Sequence, residues 1–354
     1  MKALRLLLPL LIAAGLIWLT LRGQDLGQLW HAILQVSVPI LALGITAEVG
    51  SIFLRAVRYR RLLHYAGNGG AFHFYLEGTV IGYFVTNIFP FRLGEIVRPL
   101  LISRDTGVKF PRLLAAAGLE RLIDVLALAV CFALFIALAP DLLAENQATF
   151  GHDLMGRMFH RLAAMAEHRA LVNGVIVVLL AALILIPWLL LRGRARIAAR
   201  AARGGRLGKV AEALGHLVES ASVLSRPVAA LEIFFWSLLI QTGIVAGAMF
   251  LTAAGGLQVG FSAGLLLTVA VSLGYGIPVP GGLGGVQGAA FVCLATVLGK
   301  EPAKATAVGW VMWAAFVIPM ILWGGWLVWR KGINIMGVVA EAKQRKGVEP
   351  EAAA

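Results

Sequence analysis

The chain has 354 residues, of which 60% are hydrophobic and 14% are charged, and its formal net charge is +13. This composition excludes an ordinary soluble domain and is typical of an integral membrane protein. The positive charge alone would suit nucleic acid, but the basic residues cluster at the ends of apolar segments, as membrane topology and anionic lipid require. Cys131 and Cys293 lie in apolar runs without a disulfide or metal-ligand pattern. We therefore expect no nucleic-acid partner, no metal and no cofactor.

The apolar runs predict an all-α polytopic membrane protein with about six full spans. These runs cover residues 6–21, 38–56, 112–139, 173–191, 231–251 and 305–329. We expect a transmembrane domain over 1–336, with halves at about 1–140 and 173–336, and a polar, disordered, cytoplasmic tail over 337–354. Glu48, near the middle of the second run, is either a functional carboxylate or a helix-packing partner.

Arginines mark the end of the second run. Arg58 and Arg61 are three residues apart, with Arg55 and Arg60 beside them. They form either an anchor that sets the orientation of the chain in the membrane or a phosphate-binding rim for lipid head groups. The second alternative makes Arg58 and Arg61 candidate substrate-binding residues.

Residues 72–103 form an interrupted apolar segment. At 32 residues it is too long for one span of about 20 residues and too broken for two. We therefore predict a helical hairpin that breaks at residues 87–90. Pro90 and Pro99 bracket the charged part and should break or kink the helix at both ends.

The charged residues of this hairpin are the strongest functional signal. Arg92, Glu95 and Arg98 are spaced by three, so on a helix they share one broad face, and Asn87 lies at the break. A charge in hydrocarbon costs about 2.5–3.5 kcal/mol on insertion scales and marks function. We interpret the stretch as a half-helix that lines a polar cavity. The alternative is a short cytoplasmic loop with solvated charges.

A second charged cluster, Glu120, Arg121 and Asp124, lies in the first half of the third run. Arg121 and Asp124 are three residues apart and can pair on one helix. The cluster can equally pair with Arg92 or Arg98 of the hairpin. It is therefore either part of a substrate site or a purely structural ion cluster.

Residues 261–298 repeat the interrupted pattern. Between two apolar stretches lie five candidate site residues, Gly281, Gly282, Gly284, Gly285 and Gln287. Glycines let a backbone approach a ligand closely, and the amides that open the second helix can bind an anion. The alternative is a tight turn between two packed helices.

The distribution of Lys and Arg predicts the sidedness. With the N-terminus inside, the inner segments hold 22 Lys or Arg and the outer segments hold 6, so both termini are cytoplasmic. The order is then span, span, hairpin, span in each half, and the two hairpins enter from opposite sides. This order predicts an inverted repeat, in which paired interrupted segments mark a transport site near the bilayer midplane.

Three motifs together resemble the lysylphosphatidylglycerol synthase transmembrane-region family, also called flippase-like membrane proteins. The motifs are Asn87-x-x-Pro90-x-Arg92-x-Gly94-Glu95-x-x-Arg98, Glu120-Arg121-x-x-Asp124 and Pro280-Gly-Gly-Leu-Gly, and the resemblance covers about residues 5–332. It implies a polytopic domain of the bacterial inner membrane that moves a lipid between leaflets or assists enzymes acting on lipids. Larger relatives carry a soluble aminoacyl-transfer domain, which we do not expect here. Relatives have Glu where Gln287 stands, so no proton-coupled role is implied at that position.

The residues and the resemblance lead to one predicted function, a lipid flippase or lipid transporter that is not an enzyme. The expected lipid is an anionic phospholipid, a polyprenyl-linked lipid or a hopanoid, and the expected protein partner is a second copy or a lipid-biosynthesis enzyme. Arg92 and Arg98 would meet the anionic head group, Glu95 would orient one of them or carry a proton, and residues 281–285 would bend the opposite gate. The alternatives are a membrane-embedded lipid-modifying transferase using Glu120 and Asp124, and a non-catalytic partner of lipid-biosynthesis enzymes.

Overall fold

The computed structural model describes residues 2–22, 24–65, 67, 69–139, 174, 178, 192 and 227–341. Within these ranges the chain is helical and contains no strand, which confirms the predicted all-α class. The helices are α1 (Lys2–Leu21), α2 (Leu26–Leu34), α3 (Val38–Tyr65), α4 (Phe72–Ile88), α5 (Gly94–Thr106), α6 (Phe110–Leu138), α7 (Pro227–Ala254), α8 (Phe261–Gly276), α9 (Gly285–Phe291), α10 (Pro302–Arg330) and α11 (335–341).

Five stretches of the described chain are long and apolar enough to cross a membrane. They are Val38–Tyr65, Phe110–Leu138, Val228–Ala254, Pro280–Val297 and Pro302–Arg330, and shorter apolar helices cover Leu8–Leu21 and Phe261–Gly276. Four predicted spans lie within these helices, and the first predicted span lies in the shorter α1. The predicted span at 173–191 and the basic segment at 192–226 fall outside the described residues, apart from isolated positions. The chain is a multi-pass membrane protein, and the number of spans stays a prediction.

Two compact units make up the chain. Unit A comprises residues 50–125, 182–240 and 318–354, and unit B comprises residues 1–49, 126–181 and 241–317. The boundaries fall inside the long helices α3, α6, α7 and α10. Each unit therefore draws on both of the sequence halves that we predicted, and each contains one of the two interrupted hairpins.

Each unit has its own apolar core. In unit A, helices α3, α5, α6 and α7 meet around the buried side chains of Tyr59, Ile102, Leu113 and Ile233. In unit B, helices α7, α8 and α10 meet the segment after α9 around Leu251, Leu267, Leu294 and Val308. Because lipid tails are as apolar as these side chains, close van der Waals packing between the helices stabilises the two cores.

Both hairpins are held closed by glycines that face each other across their arms. In the first, α4 packs against α5, and a Cβ added at Gly94 would overlap the carbonyl oxygen of Gly82. In the second, α8 packs against α9, and a Cβ added at Gly274 or at Gly285 would overlap the carbonyl oxygen of the other. Only glycine allows helix backbones to approach so closely. The predicted breaks at 87–90 and near 280 are both present.

The turns at the tips of the two hairpins begin with the same backbone conformation, over residues 89–92 and 279–282, and then diverge, because Leu93 has ψ of −24° where Leu283 has ψ of 129°. Each begins with a proline of a short 3₁₀ turn, at Pro90–Arg92 and Pro280–Gly282. The next two residues have positive φ in both cases: 63° and 52° at Phe91 and Arg92, and 56° and 66° at Gly281 and Gly282. The residue before each proline is extended, with φ of −103° in both.

The first hairpin corrects two local predictions. Pro99 was expected to break or kink the helix, and it does not break it, because α5 continues through Pro99 to Thr106. The missing N–H of Pro99 costs one hydrogen bond to the carbonyl of Glu95, and the burial of its neighbours Val97 and Leu100 offsets that loss. Arg92 was expected on one helical face with Glu95 and Arg98, but it lies before α5 in the turn with positive φ.

Two further segments are helical, and the second of them corrects a prediction. The connection after the first run contains α2, which begins where Asp25 Oδ1 accepts hydrogen bonds from the backbone N–H groups of Gly27 (2.8 Å) and Gln28 (3.2 Å). The tail, expected to be disordered from residue 337, begins inside α11. Val338 and Val339 are buried there, and their apolar contacts hold the segment in place.

Candidate functional site

A buried arginine, Arg58 of α3, is the centre of an ion network in unit A. Its Nε lies 3.3 Å from Glu120 Oε1, its Nη2 lies 2.9 Å from Asp124 Oδ1, and its Nη1 donates to Ser237 Oγ at 3.0 Å. Arg98 of α5 approaches the other oxygen of Glu120, with Nη2 2.8 Å from Oε2. Glu120 therefore bridges two guanidinium groups, and a guanidinium's planar set of donors suits such shared contacts.

An aromatic ring fixes the orientation of Arg98. The guanidinium of Arg98 stacks over the ring of Tyr59 at 3.8 Å from its centroid. Tyr59 is itself held, because its hydroxyl donates to the carbonyl oxygen of Leu113 at 2.6 Å. A cation over an aromatic face in a desolvated place is stabilised by about 2 kcal/mol. The stack keeps Arg98 aimed at Glu120.

A second layer of ion pairs is more open to the surroundings. Arg55 Nη1 lies 2.6 Å from Asp124 Oδ2, and Arg121 Nη1 lies 3.3 Å from the same oxygen. Arg121 Nε also lies 3.3 Å from Glu95 Oε2. The side chains of Arg121 and Glu95 are 34% and 31% exposed, whereas those of Arg58 and Glu120 are each 1% exposed. The network thus has a buried inner end, at Arg58 and Glu120, and a partly exposed open end, at Arg121 and Glu95.

Counted over the residues that the structure describes, the ion network carries a net positive charge. Four guanidinium groups, those of Arg55, Arg58, Arg98 and Arg121, face three carboxylates, those of Glu95, Glu120 and Asp124. A buried charge without a partner is costly, so an excess cation favours binding of an anion. The chemistry that this arrangement offers is recognition of a phosphate or carboxylate.

The local sequence explains how three helices converge on one point. Arg55 and Arg58 are three apart on α3, Glu120 and Asp124 are four apart on α6, and Glu95 and Arg98 are three apart on α5. These spacings put each pair on one helical face. The predicted pairs Arg98–Glu120 and Arg121–Asp124 are both present.

Sequence reasoning missed several members of the network. Arg55 was expected in an orientation anchor or a phosphate-binding rim and not in an ion network, and Tyr59 and Ser237 were not considered. Arg58 does not belong to an exposed rim, because it is buried among the carboxylates of α6. Arg55 and Arg58 share one face of α3, and Glu120 and Asp124 share one face of α6, so two adjacent cations could meet two adjacent carboxylates. This was the signal that could have paired the two helices.

The remaining polar candidates of unit A lie around the network. Arg61 is 46% exposed, and its Nε lies 3.1 Å from Glu232 Oε1 of α7. Asn87 is buried at the end of α4. Arg92 occupies the tip of the first hairpin. These three residues are near the hairpin or the end of α3, but the ion pairs of the network are made by other residues.

The glycine turn belongs to unit B, whereas the ion network belongs to unit A. The backbone N–H of Gly284 donates to Gln287 Oε1 at 2.8 Å, so one amide that we expected to be available to an anion is already bonded. Trp313 Nε1 donates to the carbonyl oxygen of Gly281 at 3.0 Å. Gln287 Nε2 is buried and has no hydrogen-bond partner among the described residues. The second turn is thus tied by side chains from its own unit.

Glu48 also lies in unit B, against helix α7. A Cβ added at Gly247 would come within 3.0 Å of Glu48 Oε1. Gly247 therefore leaves the space that the carboxylate occupies. This contact places Glu48 at a helix-packing position, one of the two alternatives that its sequence context allowed.

Comparison with known families identifies the chain. Residues 6–324 match the family described as the lysylphosphatidylglycerol synthase TM region. The chain belongs to this family. The match covers both hairpins and every residue of the ion network. No curated protein matches the chain.

Proposed function

We propose that this family member is a lipid flippase or lipid transporter, which moves an anionic or lipid-linked substrate between the leaflets of a bacterial inner membrane. The observation that carries the proposal is the ion network, which among the described residues has one more cation than anion. It draws on α3 and α6, two helices apolar enough to span a bilayer, and on the shorter α5. Charged groups at membrane depth are costly and are kept where they serve an ion or substrate pathway.

The open end of the network is the proposed entry point for the head group. A phosphate that approaches Arg121 can take the place of Glu95, because that ion pair is long and about one-third exposed. The inner pairs are buried and hold the guanidinium groups in position. Exchange of one carboxylate for a phosphate keeps every arginine paired, so binding leaves no buried charge without a partner.

The likeness of the two hairpins supports a transport mechanism. Both have a proline turn with two positive φ values, and both close through facing glycines. Pro90, Leu93, Gly94 and Ile96 correspond at identical spacing to Pro280, Leu283, Gly284 and Val286. Paired interrupted helices of this kind are typical of transporters built from inverted repeats. We propose that the chain is such a repeat, with both termini cytoplasmic.

The geometry favours transport over transfer chemistry. A lipid-modifying transferase would need Glu120 and Asp124 for a metal–pyrophosphate group. Glu120 instead accepts from Arg58 and Arg98, and Asp124 is contacted by three arginines. Carboxylates neutralised in this way are poor metal ligands, because a cation would have to displace guanidinium groups. A scaffold for lipid-biosynthesis enzymes would not require the network at all.

A reconstituted scrambling assay tests the proposal. Proteoliposomes with fluorescent phosphatidylglycerol are treated with an impermeant quencher, and the rate at which inner-leaflet lipid becomes accessible is measured. We expect Arg121→Ala to slow this rate about tenfold or more, since a charge-assisted hydrogen bond contributes roughly 1.5–3 kcal/mol. Arg104→Ala is the matched control, because Arg104 pairs with Glu341 away from the network. A wild-type rate equal to that of protein-free vesicles would refute the proposed function.

A further inference from the structure

The backbone at the tip of the first hairpin is strained, whereas the backbone at the tip of the second is not. Phe91 and Arg92 have φ of 63° and 52°, and they are the residues other than glycine with positive φ in the described chain. At the equivalent turn the chain has Gly281 and Gly282, with φ of 56° and 66°. A bulky residue at positive φ is a genuine outlier, whereas glycine adopts this conformation without steric cost.

The strain is not needed to make the turn. Two glycines adopt the same pair of positive φ values in the second turn, so a glycine pair could supply this part of the first turn as well. The arms of the first hairpin pack so closely that a Cβ at Gly94 would overlap the carbonyl oxygen of Gly82, and this close packing restricts the path of the tip between them. Strained residues persist where the surroundings determine them, and they cluster at functional sites. The side chains of Phe91 and Arg92 therefore have a role that glycine could not fill.

The two side chains form an amphipathic pair at an accessible place. Phe91 is 45% exposed, although it is a large apolar residue, and Arg92 beside it is partly buried. Three residues further on, Glu95 opens α5 and pairs with Arg121 at the exposed end of the ion network. An aromatic ring offers an apolar surface, and a guanidinium offers donors that match phosphate oxygens. The pair suits a molecule that joins a phosphate to hydrocarbon.

We propose that Phe91 and Arg92 are substrate-contacting residues, held in a strained turn so that the ring packs on the apolar part of a phospholipid next to its head group while the guanidinium binds the phosphate. This inference rests on the proposed function and adds to it a second contact point, at the tip of the hairpin.

Glycine substitution distinguishes a lipid-contacting role from a fold-stabilising role, because it removes the side chain and relieves the backbone strain at the same time. We expect Phe91→Gly and Arg92→Gly to weaken binding of fluorescent phosphatidylglycerol to the detergent-solubilised protein by roughly fivefold or more, with the unfolding temperature equal to or above that of wild type. Phe91→Leu and Arg92→Lys should retain part of the binding. Gly107→Ala calibrates the strain, because Gly107 has φ of 71° and open space around it. It should lower the unfolding temperature and leave binding unchanged.

The outcomes distinguish this inference from the proposed function. Wild-type binding in both glycine variants would overturn the inference, even if the protein moves lipid. If the glycine variants lose both thermal stability and lipid binding, the inference is also overturned. The two side chains would then stabilise the fold by packing. If wild type binds the fluorescent lipid but does not move it, and the glycine variants lose binding, the proposed function fails and the inference stands.

Discussion

At the scale of single residues, the choice of arginine explains how so many charges share a small buried volume. Arg58 reaches Glu120, Asp124 and Ser237 from three different nitrogens. A lysine has one ammonium group and could not hold three acceptors in fixed directions. The geometry of the network therefore depends on guanidinium groups as well as on charge.

The first prediction concerns Glu120, which bridges Arg58 and Arg98. Glu120→Gln removes the only carboxylate that the described chain brings to Arg98 in an ion pair, and it leaves buried positive charge uncompensated. Breaking a buried pair costs about 3–5 kcal/mol. We expect a large drop in the unfolding temperature of the detergent-solubilised protein. Light scattering or tryptophan fluorescence measures this temperature.

A matched carboxylate provides the comparison for Glu120. Glu341 pairs with Arg104 near the surface, and Glu341→Gln should change stability by at most about 1 kcal/mol. Adding Arg98→Gln to Glu120→Gln removes one unpaired cation and should recover part of the loss. Equal stability of wild type and Glu120→Gln would mean that the network is solvated.

The second prediction concerns Gly284, whose φ is 80°. A Cβ there would come within 2.7 Å of Leu16 Cβ and 2.9 Å of the carbonyl oxygen of Ala13, both in α1. Gly284→Ala should therefore destabilise unit B by roughly 1–3 kcal/mol, from overpacking added to backbone strain. Thermal unfolding of the purified variant measures the effect.

Gly299 separates backbone strain from overpacking. It has φ of 59° but nothing within 4 Å of an added Cβ, so Gly299→Ala reports the strain alone. We expect its effect to be clearly smaller than that of Gly284→Ala. If the two variants lose the same stability, the close approach of α1 to the second turn is not significant.

At the scale of elements, the hairpins show what local sequence can and cannot determine. Both breaks were predictable, because proline and glycine interrupt apolar runs that are too long for one span. The continuation of α5 through Pro99 was not predictable, since it depends on the burial of Val97 and Leu100 against other helices. Arg92 was placed on the helix because a spacing of three does not reveal where the helix begins.

The third prediction concerns α11. Val338 is buried, and Glu341 of the same helix pairs with Arg104 of α5. Val338→Ala should expose the amides of residues 335–341 to faster hydrogen exchange, because loss of buried apolar surface costs about 1–2 kcal/mol. Glu341→Gln should change the exchange much less, because an exposed ion pair contributes little. Faster exchange in Glu341→Gln than in Val338→Ala would show that the ion pair, and not apolar burial, holds α11 in place.

At the scale of the whole molecule, the spans were predictable and the units were not. Apolar length is a property of one stretch of chain, and so hydropathy locates α3, α6, α7 and α10. The division into units depends on contacts between residues far apart in the chain. It runs through the middle of these four helices, where no change of composition marks it.

The fourth prediction concerns membrane sidedness, which rests on the excess of Lys and Arg in the inner segments. Gly69 and Gln258 are exposed positions in connections that the charge distribution assigns to opposite sides. With an impermeant thiol reagent on intact cells, Gln258→Cys should be labelled, and Gly69→Cys should be labelled only after lysis. The native Cys131 and Cys293 are buried and give little background. Labelling of Gly69→Cys alone in intact cells would invert the orientation, and labelling of both variants in intact cells would contradict the proposed repeat.

Trp313 Nε1 donates a hydrogen bond to the carbonyl oxygen of Gly281, so the fluorescence of this indole depends on the position of the second turn. Loss of that bond would change the emission of Trp313, which can be isolated from the chain's nine tryptophans by comparison with Trp313→Phe. Trp313 can therefore serve as an intrinsic fluorescent probe of the second turn. Movement of the second turn can then be followed in real time without attaching a dye.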